Sequence, residues 1–254
     1  MAANAIALAP EPGRMAITFG FYVTSHLRER VRQTLGMQII DRFSVSEVFG
    51  GATECEEDGW YSFDPLIIPE VVSLASGQPL TEGIGELVLT ALYPFQECQP
   101  IVRYATGDLV QVTHQRERFP GRLGIKPLGR VSSAVFSPRS GGLLLSAGEL
   151  YAAIDSQEWP SRNAIFQDAQ EVVDGHALGD PRYVIQCERG QSREQIRVCV
   201  QAPTGRERGR DGARAQAVRE TLLHCSSVLR ERVEHRKTEL TVSLVDALET
   251  SWVV

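Results

Sequence analysis

This sequence has almost no lysine: of its 26 basic residues, only Lys126 and Lys237 are lysines. Chemistry that needs an amine therefore has two candidates. Its five cysteines, Cys55, Cys98, Cys187, Cys199 and Cys225, are odd in number, widely spaced and without a Cys-x-x-Cys. That is not a disulfide framework, and it points to a reducing compartment, the cytoplasm. No apolar run approaches the roughly 20 residues that a membrane helix needs, so no membrane is expected as a partner. Residues 1–14 lack a basic start and a long apolar core, so no signal peptide is expected. A basic excess is missing as well. The formal net charge of −6 argues against a general nucleic-acid binder. Cys55, Cys98 and His114 are scattered without the paired spacing of a metal site, and no metal centre is expected. No Ser/His/Asp or Cys/His arrangement stands out, and no catalytic residue is assigned.

What is present is ordinary globular composition: 254 residues, 43% hydrophobic and 23% charged, enough for one large domain or two small ones. Met15 to Thr24 is apolar and β-prone and reads as a buried strand. A helix follows with Ser25 as its cap. Leu27, Val31 and Leu35 form its inner face, the arginines lie on the other face, and Gly36 is its stop. Met37 to Phe43 is a second strand, which completes a strand–helix–strand unit. From Trp60 onward, short strand-like runs separated by turns read as an antiparallel, barrel-like β region. Thr113 to Pro127 reads as a loop. Later, Gly142 to Ile154 reads as a strand or loop entering a helix, and two runs around Cys187 and Cys199 read as a hairpin. Thr204 to Arg214 reads as a mobile loop, Ala215 to Arg236 as one long helix, and Leu240 to Leu248 as a last strand. The fold class is α+β.

Three segments carry chemistry. Phe43-Ser44-Val45-Ser46-Glu47 follows a strand. Arg103-Tyr104-Ala105-Thr106-Gly107-Asp108-Leu109 reads as the end of another. Gly129-Arg130 opens the third segment. Acids, hydroxyls and arginines on loops after strands are where ligands are usually held. Each segment alone is weak, but their order and spacing, with Gly85-Glu86-Leu87-Val88-Leu89-Thr90 before the second, are hard to obtain by chance. Together they resemble the later motifs of the acyl-adenylate-forming superfamily, in its phenylacetate–CoA ligase branch. The resemblance is good over about residues 15 to 155 and looser beyond, and corresponds to the C-terminal half of such ligases.

The resemblance implies a division at residue 128. Residues 1–128 would be a remnant of the large domain, the strand–helix–strand plus the β-barrel-like subdomain. Residues 129–254 would be a small α+β domain. It also implies roles. Phe43 would lie against adenine, Ser46 would touch phosphate, and Glu47 would help hold Mg²⁺, which prefers oxygen ligands. Asp108 would accept hydrogen bonds from both ribose hydroxyls, a task that suits an ionised carboxylate with two oxygens and no donors. Arg130 would neutralise phosphate or ribose contacts, and Arg103 would brace the site. The ligands implied are AMP or ATP with Mg²⁺, or CoA.

Four departures temper the implied activity. No Ser/Thr/Gly-rich phosphate loop with a lysine occurs. No Gly-Lys-x-x-Arg segment occurs, whose lysine would stabilise charge during adenylation. Ser44 replaces the glycine of the first motif, and Ser132 and Ser133 follow Gly129-Arg130 where a hinge aspartate is expected. The expected function is a ligase-like binding or partner protein that does not form adenylates by itself, acting in aryl- or acyl-CoA or carrier-protein metabolism. Two alternatives remain open: the C-terminal subunit of a split ATP-dependent ligase, and an acyltransferase using acyl-CoA. The partners expected are a second copy or a complementary ligase subunit, and an acyl carrier protein.

Overall fold

The computed structural model describes residues 14–20, 22–114, 119, 122–162, 172–173, 176–177 and 179–248; residues 1–13, most of the stretch inspected for a signal peptide, lie outside them. The chain divides into two compact units, Met1–Ser132 and Ser133–Val254. Among the described residues no helix is long and apolar enough to cross a membrane.

The first unit opens with β1 (Met15–Phe19), α1 (Ser25–Leu35) and β2 (Gln38–Phe43), and β1 pairs with β2 in parallel. Thr24, not Ser25, caps α1, its hydroxyl accepting from the Leu27 N–H at 3.0 Å. Gly36 ends the helix with φ 65°, a left-handed turn that glycine adopts without steric cost. The expected outward arginine face has one exception, because Arg28 is the buried residue of α1. It forms a 2.7 Å ion pair with Glu54 and also donates to the Ile39 carbonyl at 3.1 Å. A charge this deep is tolerated because it is paired and hydrogen-bonded.

The expectation of a buried first strand needs correction. Strand β1 is a sheet edge, and Met15, Ile17 and Phe19 are 58%, 65% and 68% exposed. Only its other face turns inward, where Thr18 donates to Asp41 at 2.8 Å and the Tyr61 hydroxyl reaches the same carboxylate at 2.6 Å. Burial, and then that hydrogen bond to Asp41, pushes the Tyr61 phenol far above its ordinary range.

The rest of the unit is antiparallel: β3 (Ala52–Glu56), β4 (Trp60–Phe63), β5 (Ile67–Val72), β6 (Gly83–Ala91), β7 (Tyr104–Thr113) and β8 (Gly124–Arg130). The sheet order is β1-β2-β3-β4-β8-β7-β6-β5. The sheet curls so that Ala52, Phe63, Ile67, Leu87, Val110 and Ile125, from all six strands, meet in one apolar cluster. This is the barrel-like shape, left open with β5 as its far edge. The expected loop from Thr113 to Pro127 is too long, since β8 already begins at Gly124. Pairing with both β4 and β7 overrides the weak strand propensity of Gly124-Ile125-Lys126-Pro127.

The second unit begins with a hairpin, β9 (Val135–Phe136) and β10 (Leu143–Leu145), leading into α2 (Ala147–Asp155). Ser146 and Glu149 form a reciprocal capping box at the start of α2. A short ladder, β11 (Val172–Val173) with β12 (His176–Ala177), precedes the main sheet. There β13 (Tyr183–Arg189) pairs antiparallel with β14 (Glu194–Gln201), and β14 pairs in parallel with β15 (Thr238–Val245). The crossover from β14 to β15 contains α3 (Asp211–Cys225) and α4 (Ser227–Glu234). Alternate residues Ile196, Val198 and Val200 of β14 pack with Val218, Leu222 and Leu229 of those helices and with Leu150 and Ile154 of α2.

Two expectations for this unit change. The single long helix is broken at Ser226, whose backbone is extended; its hydroxyl donates to the Leu144 carbonyl at 3.1 Å and accepts from the Leu229 N–H at 3.3 Å. The Thr204–Arg214 stretch is not simply a loop, because α3 starts at Asp211 and a 3-10 turn spans Arg208–Arg210. Arg206 orders it by gripping both Asp211 carboxylate oxygens at 3.1 Å and by pairing with Asp246.

Candidate functional site

The first motif leaves the end of β2. The Phe43 ring is half-buried and meets Phe63 edge-on, with centroids 6.5 Å apart and planes at 78°. The loop beyond it is narrow. At Gly51 a side chain would come within 2.4 Å of the Phe43 carbonyl, so only glycine allows the two backbones to meet there. Ser44, the departure from the motif glycine, is absent from the positive-φ residues and so carries no backbone strain. Buried Val48 anchors the loop, while Ser46 and Glu47 face solvent. Gln96 clamps it from a neighbouring loop, donating to the Glu47 carbonyl and accepting from the Phe49 N–H, both at 2.9 Å.

The second motif lies at the beginning of a strand, not at the end of one, since β7 starts at Tyr104. Arg103 precedes it with φ 52° and pairs with Glu70 of β5. Between the pairs Val88–Ala105 and Glu86–Leu109, a single residue of β6, Leu87, faces Thr106, Gly107 and Asp108. This is a β-bulge, the device by which sheets re-aim a side chain. Its backbone groups are satisfied locally. The Thr106 hydroxyl donates to the Leu87 carbonyl at 3.0 Å and accepts from the Asp108 N–H at 3.1 Å. The Gly107 N–H reaches Glu86 at 3.1 Å. Gly107 has φ 73°, and a side chain there would come within 3.5 Å of the Arg130 guanidinium.

The third motif ends β8, directly opposite Asp108 in the ladder. Arg130 Nε lies 3.4 Å from Asp108 Oδ1, and its Nη1 donates to the Thr106 carbonyl at 2.5 Å. The Asp108 side chain is 13% exposed while that of Arg130 is 60% exposed. Burial therefore raises the Asp108 carboxyl above the usual carboxylate value; Arg130 and the Thr106 hydrogen bond oppose this, while Glu47 and Glu86 add to it. The Tyr104 hydroxyl joins the first and second motifs by donating to Glu47 at 2.9 Å. That bond, above all, lifts the Tyr104 phenol.

The structure thus gathers Glu47, Asp108 and Arg130 into one electrostatic cluster. Phe43 packs toward the barrel interior, and Ser46 stands exposed without a side-chain hydrogen bond among the described residues. Tyr104, Glu86 and Gln96 were not assigned roles from the sequence. Glu86 and Tyr104 sit inside segments already singled out, but nothing in the sequence marks Gln96, which acts across 47 residues. Of the two lysines, Lys126 is opposite Gln111 with its stem over Gly59. Lys237 immediately precedes β15 in the second unit. Among the described residues no three His, Cys, Asp or Glu side chains group as a metal site.

No family model matches the chain. The phenylacetate–coenzyme A ligase of Thermus thermophilus is 36% identical over 97 residues, which is 36% of this chain and 21% of that ligase. The phenylacetate–coenzyme A ligase of Pseudomonas putida is 36% identical over 106 residues, 40% of this chain and 24% of its own length. Among solved structures, an open conformation of 2-hydroxyisobutyryl-CoA ligase with 2-HIB-AMP and CoA covers 95% of this chain and 48% of its own, at a TM-score of 0.56 and 19% identity. Apo MatB from Rhodopseudomonas palustris covers 95% of this chain and 44% of its own, at a TM-score of 0.53 and 16% identity. At these identities the structural likeness shows the fold alone. The matched stretch spans less than a quarter of those curated relatives, and the fold spans less than half of those solved structures. Over a third or more of its sequence this chain is related to the phenylacetate–CoA ligases, an acyl-adenylate-forming relationship that corresponds to the C-terminal half, and over nearly all of its length its fold is similar to part of these solved structures.

Proposed function

We propose that this chain is a ligase-like binding protein whose Asp108, Arg130 and Glu47 hold the ribose and phosphate of a nucleotide, and that it does not form acyl-adenylates by itself. The observation that carries this reading is the Asp108–Arg130 pair set on a bulge beside Glu47. A shielded carboxylate next to an exposed guanidinium suits a diol adjoining an anion. Phe43 would flank the base and Ser46 would face phosphate. One Glu47 oxygen is engaged by Tyr104; the other, with phosphate oxygens and water, fits Mg²⁺, which is usually held by few protein carboxylates. The solved relatives include ATP-bound MatB and the acyl-AMP and CoA complex named above. Neither lysine of this chain lies in a Gly-Lys-x-x-Arg segment. Without such a charge partner, adenylation by this chain alone should be slower by orders of magnitude. The reading places the protein in aryl- or acyl-CoA or carrier-protein metabolism as a binding partner.

Calorimetric titration with AMP, ATP and CoA tests it. Asp108→Ala is expected to weaken AMP at least about tenfold, the worth of a charge-assisted hydrogen bond. Only the ionised carboxylate accepts both hydroxyls, so affinity should fall as the pH drops through the raised Asp108 pKa. That fall begins at a higher pH than an ordinary aspartate would give. Equal AMP binding by the variant would remove the ribose site, and ATP consumption with an aryl or acyl acid would remove the second clause.

A second reading, a subunit of a split ligase or a homodimer, is favoured by the bare apolar face of β1. Met15, Ile17 and Phe19 stand on a strand that has no further pairing partner among the described residues and no charged side chain within it, a surface that proteins usually cover. Light scattering at micromolar concentration should show association, either of copies or with a complementary ligase half, and Ile17→Lys should abolish it. A monomer in both settings ends this reading.

A further inference from the structure

Glu47 is held by a residue that lies outside all three motifs. Residues 92–103 join β6 to β7. The base of this connection is closed by the Ala91 N–H, which donates to the Ile101 carbonyl at 2.9 Å, and by the Arg103 N–H, which donates to the Thr90 hydroxyl at 3.0 Å. From Tyr93 to Pro100 every residue is exposed except Gln96. One side chain of an otherwise solvated loop thus turns inward, and it is an amide.

That amide is engaged on three sides. Nε2 donates to the Glu47 carbonyl at 2.9 Å and to the Gln99 carbonyl at 3.0 Å, while Oε1 accepts from the Phe49 N–H at 2.9 Å. The Gln99 bond fixes the amide within its own loop. The other two cross 49 and 47 residues of sequence and engage the carbonyl and the N–H on either side of Val48. A glutamine that only stabilised its own loop would need neither.

Glu47 is therefore gripped at both ends by one connection. Gln96 holds its carbonyl, and Tyr104, where the connection enters β7, donates to its carboxylate at 2.9 Å. The following residue, Val48, is buried, whereas Glu47 itself is exposed. An exposed glutamate ordinarily samples many rotamers, and ordering it costs conformational entropy. Anchors on its backbone and on its carboxylate impose that order before any ligand arrives, which is preorganisation.

We infer that Gln96 is a positioning residue: it fixes the backbone at Glu47 so that this carboxylate stands ready beside the Asp108–Arg130 pair. Gln96 acts through Glu47 and touches no ligand. The use of the fixed carboxylate for a phosphate-bound Mg²⁺ rests on the nucleotide reading above; the positioning itself does not.

Gln96→Met keeps the length of the side chain and removes all three hydrogen bonds. Without ligand, NMR relaxation of the Ser46, Glu47 and Val48 amides in the full chain should show order parameters falling from about 0.85 to below about 0.6. Wild-type order in the variant would overturn the proposal, whatever the result with nucleotides. With ligand, calorimetry compares ATP in the presence and absence of Mg²⁺. The variant should lose about tenfold of the affinity that Mg²⁺ adds, while AMP without Mg²⁺, held through Asp108, should be far less affected. In a Glu47→Gln background the change at Gln96 should have no further effect, because a residue that acts through Glu47 has nothing left to act on. Losses that add would overturn the proposal, as would an AMP loss equal to the ATP loss, the mark of a merely structural role. If wild type itself gains nothing from Mg²⁺, the nucleotide reading falls, and the order parameters decide the role of Gln96.

Discussion

Replacing Glu54 with alanine is expected to destabilise the first unit by about 3–5 kcal/mol, the usual result of removing one partner of a buried ion pair. Glu54 is 2% exposed at its side chain, and its partner Arg28 is 9% exposed. The second Glu54 oxygen accepts from the Gly59 N–H at 2.8 Å. The substitution therefore strands a guanidinium inside the protein and leaves a turn amide without its acceptor. Domains of this size are stable by only about 5–15 kcal/mol, so the midpoint of urea unfolding should fall sharply. The double change Arg28→Met with Glu54→Leu should recover most of the loss, because an apolar pair of similar volume avoids the desolvation cost. A single variant within 1 kcal/mol of wild type would mean that water reaches the pair.

The counterpart in the second unit is Glu194. Its carboxylate is fully buried and accepts from Arg232 Nη2 at 2.5 Å, from the Thr238 hydroxyl at 3.0 Å and from Ser137. Burial alone would raise its pKa, but the bonds from Ser137, Arg232 and Thr238 outweigh burial and hold the carboxyl below its ordinary value. Glu194→Ala should cost about 3 kcal/mol or more, by the same argument of a stranded partner. The sign with pH follows from the lowered value. The stabilisation is complete above the unfolded glutamate pKa, about 4.3. It is lost as the pH falls through the lower folded value. Wild type and variant should thus converge in stability only in strong acid. A gap that stayed constant down to that range would show that packing, not ionisation, is what the variant loses.

The sequence was most legible where local rules agree with the final packing. Strand β14 places Ile196, Val198 and Val200 at alternate positions, the Gly36 stop is a left-handed cap, and the α+β class follows from the order of elements. It was least legible where long-range partners decide. Arg28 looks like a surface arginine until Glu54, 26 residues away, is placed beneath it. The helix break at Ser226 depends on a carbonyl 82 residues earlier. For the candidate site, motif order singled out Glu47, Asp108 and Arg130, and the structure brings these three near one another. The apolar run Ile101-Val102, however, placed the second motif at a strand end. In the structure the chain turns at left-handed Arg103 and the strand begins after it. Tyr104 and Gln96, which tie the loops together, become visible only once β7 lies beside the loop after β2.

The bulge at Thr106–Asp108 has a second irregularity beside it. On the other flank of β7, Leu109 faces Gly129 and Val110 faces Pro127, so Leu128 is the extra residue of β8. The acid is thereby addressed by counting along two ladders at once, not by the depth of a pocket. Leu109, the next residue, is wholly buried, and strand side chains alternate between faces. A shift of one residue on either flank would exchange carboxylate for leucine at the surface and leave Arg130 facing the wrong rung. Changes of residue type leave this address intact, whereas changes of length erase it even where the sheet still forms.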